Sequence, residues 1–131
     1  MIETDLNSLS GKIIGACIEV HRALGPGLLE SVYVDCLCHE LSLQGLAFQR
    51  EFQVPVHYKG LDVLTNLRAD LIVENEIIVE VKAVQEILPI FSAQLMTYLK
   101  LTGKELGLLV NFNVKTIKDG IRRIRINHGV D

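Results

Sequence analysis

Three side chains in the middle of the chain could do chemistry together. In Ile77-Ile78-Val79-Glu80-Val81-Lys82-Ala83 the charged and apolar residues alternate, so in a strand Glu80 and Lys82 share one face and Val79 and Val81 the other. Alone, such a pair reads first as an exposed ion pair on a half-solvated sheet, worth little energetically. Asp70 adds to it, because it interrupts the preceding apolar run Ala69-Asp70-Leu71-Ile72-Val73. Antiparallel pairing puts Asp70 on the Glu80 face only where the two positions lie symmetrically about Asn75, which requires an odd turn such as Glu74-Asn75-Glu76 or a compensating bulge. An even, two-residue turn without a bulge would send Asp70 to the valine face. Two carboxylates and a lysine on one face suit Mg²⁺ or Mn²⁺, hard cations that keep several waters and accept phosphate oxygens. Such a metal lowers the pKa of bound water, and Lys82 would position or activate that water and stabilise developing negative charge.

The elements that must carry these residues follow from periodicity. Leu9, Ile13, Cys17, Val20 and Leu24 recur at three- and four-residue spacing, predicting a helix over 9–24 with Asn7, Ser8 or Ser10 as its cap. Gly25-Pro26-Gly27 stops it, and a second helix is expected from about Leu28 to Leu43, ending at Gly45. The period then changes: Phe48–Tyr58, Leu61–Val73 and Ile77–Val84 read as three strands joined by Lys59-Gly60 and Glu74-Asn75-Glu76, most simply an antiparallel meander. Pro55 marks the first of them as an edge or bulged strand. A helix over Ile90–Leu101 ending at Gly103, a buried strand over Leu106–Phe112 and a basic edge strand within Lys115–Arg125 complete an α/β sheet of mixed direction flanked by helices.

Asp70 followed by Glu80-Val81-Lys82 on the next strand resembles the PD-(D/E)XK nuclease superfamily, and Gly27-Leu28-Leu29-Glu30-Ser31-Val32-Tyr33 resembles the motif that names the GxxExxY proteins, a bacterial and archaeal branch of it. The resemblance runs from Ile13–Tyr33 through Arg68–Val84 to Ala93–Gly103 and Leu106–Asn113. It implies a restriction-endonuclease-like core, Asp70, Glu80 and the Val81 carbonyl as metal ligands, and Lys82 as the catalytic lysine. Gln94 and Tyr98, four apart on one helical face, are similar to the glutamine-tyrosine element of RecB-like nucleases. One departure is Phe91, where such proteins often carry a histidine. Glu30 shares a helix side with Tyr33, Val34, Leu37 and Leu41, so its carboxylate is expected to turn inward and serve as the helix-borne acid of the site. Glu19, near Lys12 and Arg22 on the polar side of its helix, is expected to be solvated.

Composition bounds the remaining choices. At 131 residues, 49% hydrophobic and 22% charged, the chain reads as one globular domain over 1–131. No apolar run approaches the roughly 20 residues of a membrane span, and Met1–Ser10 is acidic and polar rather than signal-like, so a cytoplasmic protein is expected. Cys17, Cys36 and Cys38 are an odd set without CxxC spacing, which fits a reducing compartment. Cys17 with His21 and Cys36 with His39 formally match zinc spacing, but Cys17 lies in an apolar stripe. Glycine-rich phosphate loops, GxSxG elbows and HExxH helices are missing from the sequence. With a net charge of −3, nucleic-acid contact would need a local patch, for which Arg68, Lys100, Arg122, Arg123 and Arg125 are the candidates. The function expected is therefore metal-dependent phosphodiester hydrolysis of nucleic acid. The alternative is a catalytically silent module that binds nucleic acid or oligomerises, and in so short a chain a homodimer or a protein partner would supply specificity.

Overall fold

The computed structural model describes residues 3–128. Two helices come first, α1 (Glu3–Leu24) and α2 (Glu30–Leu43). Seven strands follow: β1 (Phe48–Gln53), β2 (Val56–Tyr58), β3 (Leu61–Val63), β4 (Arg68–Val73), β5 (Ile77–Lys82), β6 (Leu106–Asn111) and β7 (Ile121–Arg125). Helix α3 (Pro89–Thr102) joins β5 to β6, and a single 3₁₀ turn (Ile117–Gly120) precedes β7. The main sheet has the order β1-β4-β5-β6-β7, with β5 and β6 parallel and the other neighbours antiparallel. A crossover helix between the two parallel strands is what that geometry demands.

The sheet is covered on both faces, which explains its apolar runs. Leu71, Val73, Val79, Val81, Leu108 and Val110 pack beneath α1 and α2 with Ile13, Cys17, Tyr33 and Leu37. Ile72, Ile78 and Leu109 face the other way, against Leu95, Tyr98 and Leu99 of α3. Gly107 lets α3 approach closely, since a Cβ there would stand 2.9 Å from the Leu95 side chain. Helix α3 ends where expected, with Gly103 at φ +74 as its left-handed cap.

Several boundaries differ from the sequence expectations. Helix α1 begins at Glu3, so Asn7, Ser8 and Ser10 are interior residues and not caps; the additional turn is anchored by buried Leu6, one turn before Leu9. Helix α2 begins at Glu30 rather than Leu28. The expected strands Phe48–Tyr58 and Leu61–Val73 are each broken: Val54-Pro55 and residues 64–67 separate β1 and β4, which pair in the main sheet, from a projecting two-stranded hairpin of β2 and β3. Proline cannot donate to a ladder, and β1 is the edge strand that Pro55 implied.

Candidate metal and phosphodiester site

The pairing of β4 with β5 decides where Asp70 points. Leu71 faces Val79, Ile72 faces Ile78 and Val73 faces Ile77, a register symmetric about Asn75. The odd turn is achieved with Glu74 and Asn75 at φ +52 and +56, a left-handed pair that asparagine tolerates better than most residues. The register therefore brings Asp70 beside Glu80 at the end of the ladder.

At that point the ladder between β4 and β5 stops and side chains take over. The Asp70 amide donates to Glu80 Oε1 at 2.9 Å, and the Val81 amide donates to Asp70 Oδ2 at 2.7 Å. Across the β1–β4 pair, Glu51 lies opposite Asp70 between the Arg50–Leu71 and Phe52–Ala69 pairs, and it adopts φ +58. The pairing on both sides of Asp70 is interrupted there, by Glu51 in β1 and by the end of the ladder to β5, which leaves an opening at the end of the sheet. Because N–H and C=O of one strand residue point to the same side, the Val81 carbonyl faces the same opening.

Burial without neutralisation sets the electrostatics. Glu80 is 5% exposed. Burial pushes its carboxyl up to about 7, and the Asp70 carboxylate beside it adds to the rise, against lowering by the Asp70 amide and Lys82. Asp70 is also raised, first by burial, while the Val81 amide, Lys82 and Arg50 pull it down. Tyr98 is buried on α3, and its phenol is raised by burial and then by Glu80 and Asp70. Lys82 is half-buried, with its ammonium 4.8 Å from the centroid of the Phe91 ring.

Glu30 requires a correction: it is exposed, not turned into the core. It opens α2, before the buried stripe of Tyr33, Val34, Leu37 and Leu41 begins. It still faces the same opening, since its carboxyl is raised by partial burial and then by Asp70, with Lys82 opposing. The loop before it is fixed by Tyr33, whose hydroxyl donates to the Gly25 carbonyl at 2.6 Å and accepts from the Leu28 amide at 3.1 Å. The Tyr33 ring stacks on Phe112 with centroids 4.6 Å apart. Asn113 Oδ1 accepts from the Gly27 amide at 3.1 Å.

The structure thus brings Asp70, Glu80, Lys82 and Glu30 within electrostatic reach of one another, and Tyr98 within reach of Asp70 and Glu80. Gln94, one turn before Tyr98, is exposed. The proposed basic residues do not converge on this opening as a free patch. Arg68 pairs with Glu51 at 3.0 Å and Arg125 with Glu105 at 3.5 Å. Arg122 donates to the Asp119 and Ile121 carbonyls, Arg123 to Asn7, and Lys100 lies exposed on α3. Glu19 is exposed and paired with Arg22 at 3.2 Å.

Three residues of this region escaped sequence reasoning. Arg50 and Glu51 line a cleft of about 320 Å³ with Glu30, Ser31, Val34 and Asp70, but they sit in a polar edge strand with nothing to mark them. Asn111 was findable, as a polar residue in the apolar run Leu106–Phe112, the same signal that marked Asp70. It is 2% exposed, bonds both the amide and carbonyl of Val84 at 3.0 and 2.9 Å, and so clamps the chain just after Lys82.

Among the described residues no group of three or more His, Cys, Asp or Glu is placed to hold a metal ion. The donor set nevertheless fits a hard cation that keeps much of its water: two carboxylates, each with one oxygen spent on a backbone amide, and a carbonyl beside them. No buried side-chain N or O among the described residues lacks a hydrogen-bond partner, so an uncommitted oxygen of either carboxylate is within reach of solvent.

A mixed five-stranded sheet with helices on both faces, and paired acids followed by a lysine where two strands part, define the class: an α/β protein with ionisable groups gathered at the end of its sheet. The model of the PD-(D/E)XK nuclease superfamily matches residues 7–124, and the chain belongs to that superfamily. Searches of curated proteins and of solved structures find no match. Among the described residues no helix is long and apolar enough to cross a membrane.

Proposed function

We propose that this chain is a Mg²⁺- or Mn²⁺-dependent nuclease of the GxxExxY branch, one cytoplasmic domain over 1–131, hydrolysing phosphodiester bonds of DNA or RNA. The reading is carried by one observation: Asp70 and Glu80 are held side by side at the end of the sheet with too little positive charge beside them to balance both. Asp70, Glu80 and the Val81 carbonyl would hold the cation, which supplies charge neutralisation and a water of lowered pKa. Lys82 would orient an attacking water and stabilise the negative charge that develops on the phosphate as the water adds to phosphorus and the leaving oxygen departs with a proton from solvent. Glu30 would act as the helix-borne acid of the site, and Tyr98 and Gln94 would support the acids from α3. Arg68, Lys100, Arg122, Arg123 and Arg125 would meet the phosphate backbone, after giving up their present partners in several cases, and a second copy or a protein partner would add specificity.

One observation favours the alternative, a silent module that keeps the fold: each carboxylate also completes a backbone ladder and so has a structural use without any metal. Incubation of the protein with labelled single- and double-stranded DNA and RNA in Mg²⁺ or Mn²⁺ separates the two. The nuclease reading predicts cleavage that EDTA and Lys82→Met both abolish, with Lys82→Met still folded. Cleavage unaffected by Lys82→Met, or none with any substrate and metal, would favour the module.

A further inference from the structure

Lys82 has an unusual neighbour for the one cation that shares a strand face with Glu80. Its ammonium rests over the Phe91 ring, 4.8 Å from the centroid, and no ion pair holds it among the described residues. Phe91 is in the first turn of α3, half-buried and packed against the cluster of Ile78, Leu95 and Tyr98, so its ring is fixed from behind. A long lysine stem near the buried Glu80 carboxylate and the half-buried Asp70 carboxylate would otherwise fold onto them, and the resulting ion pair would compete with a divalent cation for the same oxygens. An aromatic face is a partner of a different kind. It attracts the ammonium through its quadrupole while carrying no net charge of its own, so it holds Lys82 nearby without spending it on Asp70 or Glu80.

We infer that Phe91 is a positioning residue for Lys82: its ring keeps the ammonium beside the carboxylate pair yet unpaired, leaving the acids to a metal ion and the lysine to the phosphate and attacking water. This rests on the nuclease reading for its purpose, but the contact itself can be tested apart from activity. The experiment records proton–carbon spectra of protein carrying ¹³C at lysine Cε, with the Lys82 signal assigned through Lys82→Arg. Wild-type Lys82 Hε protons should be displaced upfield of those of exposed lysines by the ring current, return toward them in Phe91→Leu, and stay displaced in Phe91→Tyr. The Lys59 signal serves as an internal control, because Lys59 lies over Tyr58 at 5.3 Å and neither Phe91 variant should move it.

The second readout is Mn²⁺ affinity by calorimetry. Phe91→Leu should weaken it by roughly threefold to tenfold, as Lys82 is released onto the acids, and Phe91→Tyr should restore it. A Lys82 signal without upfield displacement, a displacement that survives Phe91→Leu, or Mn²⁺ binding untouched by Phe91→Leu would overturn the inference. Failure of the wild type to bind Mn²⁺ at all would instead remove the metal reading, while the spectra still decide whether the ring holds the lysine.

Discussion

Glu80 concentrates the residue-scale physics of the site. Its carboxyl, ordinarily near 4.5, is pushed to about 7 by burial and then by Asp70. Between those two values the folded state holds a proton that the unfolded state has released, so stability falls as pH rises through about 4.5 to 7, and the loss is complete above that window. For a group so little exposed the shift corresponds to a penalty on the order of 3 kcal/mol. Glu80→Gln keeps an oxygen for the Asp70 amide and removes the charge. In EDTA at pH 8, urea unfolding should find the variant more stable than wild type by roughly 1 to 3 kcal/mol, with little difference at pH 5. Added Mg²⁺ should stabilise the wild type and leave the variant unchanged, since only a state that binds the ion gains from it. A wild type that is steadily more stable at pH 8 than at pH 5 in EDTA would contradict this assignment.

At the scale of elements, the turn after β4 and the loop before α2 do the positioning. Asn75 sits at φ +56, so Asn75→Gly should raise stability by up to about 1 kcal/mol and Asn75→Val should lower it by about 1 to 2 kcal/mol, both readable by thermal unfolding. Tyr33→Phe removes the hydroxyl that bridges Gly25 and Leu28; it should cost about 1 to 2 kcal/mol and speed hydrogen exchange at the Leu28 amide, with exchange in β5 and β6 following only global stability. How far such elements were legible depended on whether burial followed local pattern. The symmetric register was readable because an odd turn and two apolar runs constrain each other. The β2–β3 hairpin was not, because Val56, Tyr58, Leu61 and Val63 share one side of it as they would in a buried strand, yet Tyr58 and Leu61 remain about 60% exposed. Glu30 was misjudged for the opposite reason: its helical side is buried further along α2, but the first turn overhangs the core. Arg50 and Glu51 were invisible because only the pairing of β1 with β4 places them opposite the site.

For the whole molecule, the two hydrophobic clusters that sandwich the sheet explain why the acids can be so poorly balanced. Large apolar cores on both faces fix β4 and β5, and the irregular geometry at Asp70 is imposed by that frame rather than relaxed by it. Net charge of −3 adds no general attraction for a polyanion, so under the proposed function nucleic acid would be met by local cations and by a metal ion. Binding of a short uncleavable oligonucleotide should accordingly strengthen on adding millimolar Mg²⁺, with the gain lost in Asp70→Asn. The most direct test of the central claim, that Asp70 and Glu80 form a cation site, is calorimetric titration of Mn²⁺ into wild type, Asp70→Asn and Glu80→Gln, with folding checked for each. The amides retain oxygens for the Val81 and Asp70 backbone N–H groups, so loss of binding reports on the charges and not on a broken strand end. Wild-type binding that both substitutions abolish is the predicted result; no wild-type binding, with or without the uncleavable oligonucleotide, or binding that survives both substitutions, would contradict it.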